Sequence, residues 1–194
     1  AVTPLHSLPA LAQAMGVASV HYKDEGSRFG LGSFKALGGA YAVARLLCRE
    51  LGAQLGRTLT TQDLLTPELR ALCGGITVTC ATDGNHGRSV AWGAQLFGCQ
   101  CVIYIHATVS EGRKEAIAQY GAQVVRTAGN YDDAVRQADL DAKQYGRFVI
   151  SDLWLLLTSC HSLLLTDFIL CFCPLTRPPL VPHVTFTPYI CHIY

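Results

Sequence analysis

From Ile76 to Ile150 the chain repeats one pattern: short β-branched or apolar runs alternate with longer segments of helical period. Ile76–Ala81, Cys101–His106, Gln123–Thr127 and Arg147–Ile150 read as strands. Asn85–Phe97, Ser110–Tyr120 and Asn130–Tyr145 read as helices, each closed by a glycine at 98, 121 or 146. Strict alternation with such short connections leaves few folds. Each helix must carry the chain back along the sheet, so the strands should be parallel and the crossovers right-handed. The expected class is α/β with a parallel sheet.

The chain before Ile76 is less regular. Thr3-Pro4-Leu5 opens extended, Leu8–Met15 has a short helical pattern, and Val17–Lys23 alternates as a strand. Asp24–Gly32 is a loop. Ser33 is the expected N-cap of a helix to Leu51, with Phe34, Leu37, Tyr41, Ala44 and Leu47 as its apolar stripe. A second short helix is expected over Thr61–Cys73. Hydrophobic residues make up 50% of the chain, enough for a real core. The formal charge of +1 and the lack of a basic run point away from nucleic acid and anionic membrane. No charged segment followed by a continuous apolar run opens the chain, so no signal peptide is expected and the expected location is cytoplasmic. There are nine cysteines but no Cys-x-x-Cys, and Cys48, Cys73, Cys80, Cys99 and Cys101 sit in apolar runs. They read as buried free thiols of a reducing compartment, and no metal site is expected.

Two stretches carry chemistry. The first is Gly30-Leu31-Gly32-Ser33-Phe34-Lys35-Ala36-Leu37-Gly38-Gly39. Small and apolar residues frame Lys35, which suits an amine partly withdrawn from water, and the neutral amine is the nucleophile that forms Schiff bases. Flanking glycines allow backbone to approach a flat ligand. Gly38 and Gly39 would lie inside the expected helix at a cost of roughly 1 kcal/mol each, which implies that something packs tightly there. The competing reading is a lysine extending its stem along apolar surface at a helix start.

The second stretch is Cys80-Ala81-Thr82-Asp83-Gly84-Asn85-His86-Gly87, at the carboxyl end of a buried strand and the start of a helix. Ligands of open α/β sheets bind there. Asn85 offers a donor and an acceptor, Gly84 and Gly87 permit close approach, and N–H groups at the helix start favour an anion. Taken alone, the stretch also fits an ordinary turn with Asp83 or Asn85 as N-cap.

Together, Ser33-Phe34-Lys35 and the later Asp83-Gly84-Asn85-His86-Gly87 resemble the fold-type II pyridoxal-phosphate enzymes, the tryptophan synthase β-like family, over roughly residues 3–152. Within it, Ser33 to Tyr41 and Ala81 to Trp92 are most similar to the diaminopropionate ammonia-lyases. Serine and threonine dehydratases usually have a neutral residue at the place of Asp83. The resemblance implies that Lys35 is the Schiff-base lysine and that Asn85 bonds the phenolic oxygen of pyridoxal 5'-phosphate. Gly84, His86 and Gly87 complete the implied cofactor-binding turn, and Asp83 is the implied acid/base carboxylate. His86 suits a shaping role in that turn more than proton transfer, and Tyr41, Arg88 and Trp92 read as structural. It further implies α,β-elimination on 2,3-diaminopropionate to pyruvate and ammonia, an amino-acid substrate, and the homodimer expected of full-length relatives. Residues 1–75 are then the start of the large domain and 76–152 a small α/β domain.

After Asp152 the composition changes. All 18 glycines lie at or before Gly146, and Asp167 and Arg177 are the sole charged residues of the last stretch. No glycine-rich phosphate loop is therefore expected there. Residues 153–194 read as a non-family tail, joined out of frame or from an intron, and the chain as a truncated enzyme or a non-catalytic fragment. A membrane anchor is disfavoured: the charge-free run from Leu153 to Thr166 falls short of the roughly 20 residues of a helical span. A zinc site at Cys160, His161, Cys171, Cys173, Cys191 and His192 fits no standard spacing.

Overall fold

The structure, a computed structural model, describes residues 2–151 and 184–186. Strands β3 (Thr77–Ala81), β4 (Gln100–Ile105), β5 (Gln123–Arg126) and β6 (Phe148–Val149) form a four-stranded sheet in the order β5-β4-β3-β6. Every neighbouring pair is parallel, as the alternation requires. Helices α4 (Asn85–Phe97), α5 (Glu111–Ala118) and α6 (Tyr131–Tyr145) connect them. The chain runs outward from β3 to β4 and β5, then returns past β3 to β6. The strand order therefore reverses at β3, and the turn after β3 opens at that reversal.

Period-two alternation divides the strand residues between two layers. Val78, Cys80, Cys101, Ile103 and Ile105 join Val90, Ala94, Phe97 and Ile117 in one core cluster. Val102 and Tyr104 join Ala134 and Ala138 of α6 in the other. Each fully buried Val, Leu or Ile contributes about 1.5–3 kcal/mol. Tyr104 donates to Asp141 and accepts from Arg147 Nη1 at 2.8 Å, so its buried hydroxyl is satisfied. Burial, reinforced by the bond to Asp141, pushes its phenol up to about 12. None of the five cysteines read as buried thiols forms a disulfide among the described residues; Cys73, Cys80, Cys99 and Cys101 are buried, but Cys48 is only half-buried, and burial raises Cys99 to about 12.

Helix α2 (Gly39–Leu55) lies against α4, and α3 (Pro67–Cys73) follows it. The described chain divides into residues 2–34 with 184–186, and residues 35–151. The packing of α2 on α4 groups the segment from Lys35 onward with the sheet. In the first unit α1 (Pro9–Met15) connects β1 (Leu5–Ser7) to β2 (Val20–Lys23). β2 pairs antiparallel with β1 and parallel with β7 (Val184–Phe186). Arg28 binds Glu25 and, with Thr3, holds that carboxylate down to about 2. The expectations for residues 153–194 otherwise fall outside the described residues.

Candidate active site

The turn after β3 is built on one hydroxyl. Thr82 is buried, and its Oγ1 accepts from Gly84 N and Gly87 N, both at 3.0 Å. Gly84 is the N-cap of α4 and has no side chain to cap with. Thr82 therefore caps the helix from the strand before it. Gly87 is required by space: a Cβ there would lie 3.0 Å from Ile103 Cγ2 and 3.1 Å from Thr82 Cβ. The same turn is tied to the far side of the reversal, because His86 Nε2 lies 2.8 Å from the Ile150 carbonyl. His86 is 5% exposed. Its ring joins the start of α4 to the end of β6, which supports the shaping role.

Asn85 opens α4, half-buried, and its side chain makes no hydrogen bond among the described residues. Asp83 projects further out, its side chain 55% exposed, with Oδ1 3.0 Å from His106 Nε2.

Lys35 lies in a 3-10 turn, Phe34–Leu37, ahead of α2 and not within it. The helix expected from Ser33 begins instead at Gly39 with Gly38 as N-cap. The cause lies in α4. Ser89 Oγ donates to the Lys35 carbonyl at 2.8 Å and accepts from Ala40 N at 3.0 Å. A hydroxyl from another helix thus supplies the cap that Gly38 cannot. A Cβ on Gly39 would strike Ser89, and one on Gly93 would lie 2.8 Å from Ala40 Cα. This close crossing is the tight packing that the paired glycines implied. Ser89 is one turn beyond Asn85, on the same face of α4. The structure therefore brings the Lys35 turn to the first turns of α4.

The family model described as pyridoxal-phosphate dependent enzyme matches residues 1–159. The chain belongs to this pyridoxal-phosphate-dependent family. It is 44% identical over 152 residues to the diaminopropionate ammonia-lyase of Salmonella typhimurium, covering 78% of this chain and 37% of the relative. It is 34% identical over 119 residues to a probable D-serine dehydratase of Acidovorax sp., covering 58% of this chain and 26% of the relative. Among solved structures, Escherichia coli diaminopropionate ammonia lyase in apo form matches with a TM-score of 0.67 at 41% identity. That match covers 81% of this chain and 42% of the other. The chain thus spans roughly two-fifths of the length of these ammonia-lyases. The family resemblance read from Lys35 and Asp83–Gly87 is borne out, and the match continues past Asp152.

The residues present fit the ring end of the family's cofactor. Lys35 supplies an amine, and Asn85 an amide that the described fold does not use. Thr82, Ser89 and His106 were missed from sequence. Thr82 had a local signal, a hydroxyl two residues before a glycine N-cap. Ser89 had a weaker one, its place one turn after Asn85. His106 had none, because its partner follows another strand. No helix among the described residues is long and apolar enough to cross a membrane.

Proposed function

We propose that this site serves α,β-elimination on 2,3-diaminopropionate, releasing ammonia and leading to pyruvate. The observation that carries the reading is Asp83, a half-exposed carboxylate at the open end of β3, two residues before Asn85, whose side chain makes no hydrogen bond among the described residues. Pyridoxal phosphate, when bound, supplies an electron sink for the bond broken at Cα. Lys35 is the amine that holds it, and Asn85 orients its ring through the side-chain amide. An amine leaves poorly unless protonated, so a carboxyl group beside the substrate has a task here that a dehydratase meets differently. Asp83 moves that proton, at the β-amine or at Cα. Gly84 gives the backbone room, while His86 and Gly87 hold the turn from behind. The homodimer expected from the resemblance belongs to the same proposal.

The test has two parts. The chain is incubated with pyridoxal phosphate, reduced with borohydride and digested. We expect the label on Lys35 and its loss in Lys35→Ala. Turnover is then compared for diaminopropionate and threonine. Pyruvate from the former, reduced roughly 100-fold or more in Asp83→Asn, supports the reading. Threonine turnover unaffected by that change would favour the dehydratase reading, for which the 34% identity to a probable D-serine dehydratase speaks. Label scattered over other lysines, with no turnover, would leave ancestry alone.

A further inference from the structure

Behind Asp83 stands a pair of side chains with no part in the family motifs. β3 and β4 are neighbours, with Ala81 opposite Tyr104, so the residues that follow them emerge side by side. Asp83 leaves β3 and His106 leaves β4. His106 Nε2 is 3.0 Å from Asp83 Oδ1, and His106 Nδ1 is 3.0 Å from Thr108 Oγ1. A carboxylate oxygen accepts and does not donate, so this pairing calls for a hydrogen on Nε2. In the neutral ring Nδ1 is then the acceptor, and the Thr108 hydroxyl donates to it.

An exposed ion pair usually contributes little. This one differs in how its histidine is held. The His106 side chain is 18% exposed and engaged at both ring nitrogens. Its backbone is braced as well: Arg126 Nη1 donates to the carbonyls of His106 at 3.2 Å, Ala107 at 2.9 Å and Val109 at 2.7 Å. Arg126 Nη2 also binds Glu111 at 2.6 Å. The other oxygen of Asp83, Oδ2, makes no hydrogen bond among the described residues. One oxygen is therefore anchored and the other is left for a reacting group.

We propose that His106 is a positioning residue for Asp83, with Thr108 setting its tautomer. His106 holds Oδ1 so that Oδ2 keeps one direction, and the carboxylate need not be ordered anew in each turnover. The proposal rests on the reading that Asp83 moves the substrate's proton.

The test uses the 194-residue chain, with pyridoxal phosphate added for kinetics, and the variants His106→Leu, His106→Gln and Thr108→Val. Gln keeps an N–H donor near the position of Nε2, and Leu does not. With diaminopropionate we expect His106→Leu to lower kcat by roughly 10- to 100-fold, with KM within about threefold, the size of effect that misplacing a reacting group produces. His106→Gln should recover most of that loss, and Thr108→Val should fall between them. The second readout needs neither cofactor nor turnover. In long-range ¹H–¹⁵N spectra of histidine-labelled chain, the signal that His106→Gln removes should show the Nε2–H tautomer. That signal should shift in Asp83→Asn and change tautomer population in Thr108→Val. Wild-type kcat in His106→Leu would overturn the proposal, as would a Gln variant as impaired as Leu. A His106 signal indifferent to Asp83→Asn would overturn it at the contact. A wild-type chain without turnover would sink both the function and the positioning role. An Asp83-sensitive signal would then show that the function failed and the contact did not.

Discussion

Three helices leave the carboxyl end of one sheet, and they start differently. α5 and α6 are capped by their own residues: Ser110 accepts from Arg113 N, and Asn130 forms a reciprocal box with Asp133. α4 starts at Gly84 without a side-chain cap, and Thr82 reaches forward to supply one from the strand. A cap built at the N-cap position fills the space in front of the helix with its own side chain. A cap supplied from behind leaves that space open, and Asn85 and Asp83 border it. The two self-capped starts close the space in front of their helices, and the start capped from behind leaves the opening that the proposed site uses.

The comparison can be broken most severely at Gly87. Gly87→Val drives a side chain into Thr82 and Ile103 and should cost about 3 kcal/mol, read by denaturant unfolding. Full stability would mean that the turn is loosely packed and the contrast is empty. Thr82→Val keeps shape and removes the acceptor of two buried N–H groups, so a loss of about 2 kcal/mol is expected, with Thr82→Ser close to wild type. Asn130→Ala removes a self-made cap and should cost about 1 kcal/mol, with faster hydrogen exchange confined to the first turn of α6. A loss at Asn130 as large as at Thr82 would erase the distinction between buried and exposed caps.

Acid should separate the two starts most finely. The Asn130 N–H, and after it Arg136, hold the Asp133 carboxyl below its ordinary value. A folded value below the unfolded one stabilises fully above the ordinary carboxylate range, and that gain is lost as pH falls through the lower folded value. The Thr82 hydroxyl does not titrate in that range. Hydrogen exchange on acidification should therefore loosen the start of α6 before that of α4. Simultaneous loosening would show that a wider acid transition governs both.

Much of this was legible without coordinates. Asn85–Phe97 was read with both its ends, because Gly98 stops the helix in a left-handed conformation (φ 81°) and the apolar positions recur at helical spacing. The helices starting near Ser110 and Asn130 were also visible, since a cap and the N–H it binds are three residues apart, although the Asn130–Asp133 box itself came from the structure. The start of α2 was misplaced for the complementary reason. Ser33 had the right chemistry for a cap, but the hydroxyl that binds Ala40 N is Ser89, and no local pattern connects those positions.

By itself the sequence determined the sheet class, the order of its elements and the chemical groups at hand: the amine of Lys35, the amide of Asn85 and the carboxylate of Asp83. These follow from periodicity, turn chemistry and residue type, all short-range properties of a chain. Tertiary structure alone decided which groups the fold consumes and which it leaves. It committed His86 to Ile150, Ser89 to the Lys35 turn and Thr82 to the start of α4, and it set His106 behind Asp83. Each of these is a polar contact between residues whose meeting depends on strand order and helix crossing, and such pairings exist only once the parallel sheet has formed.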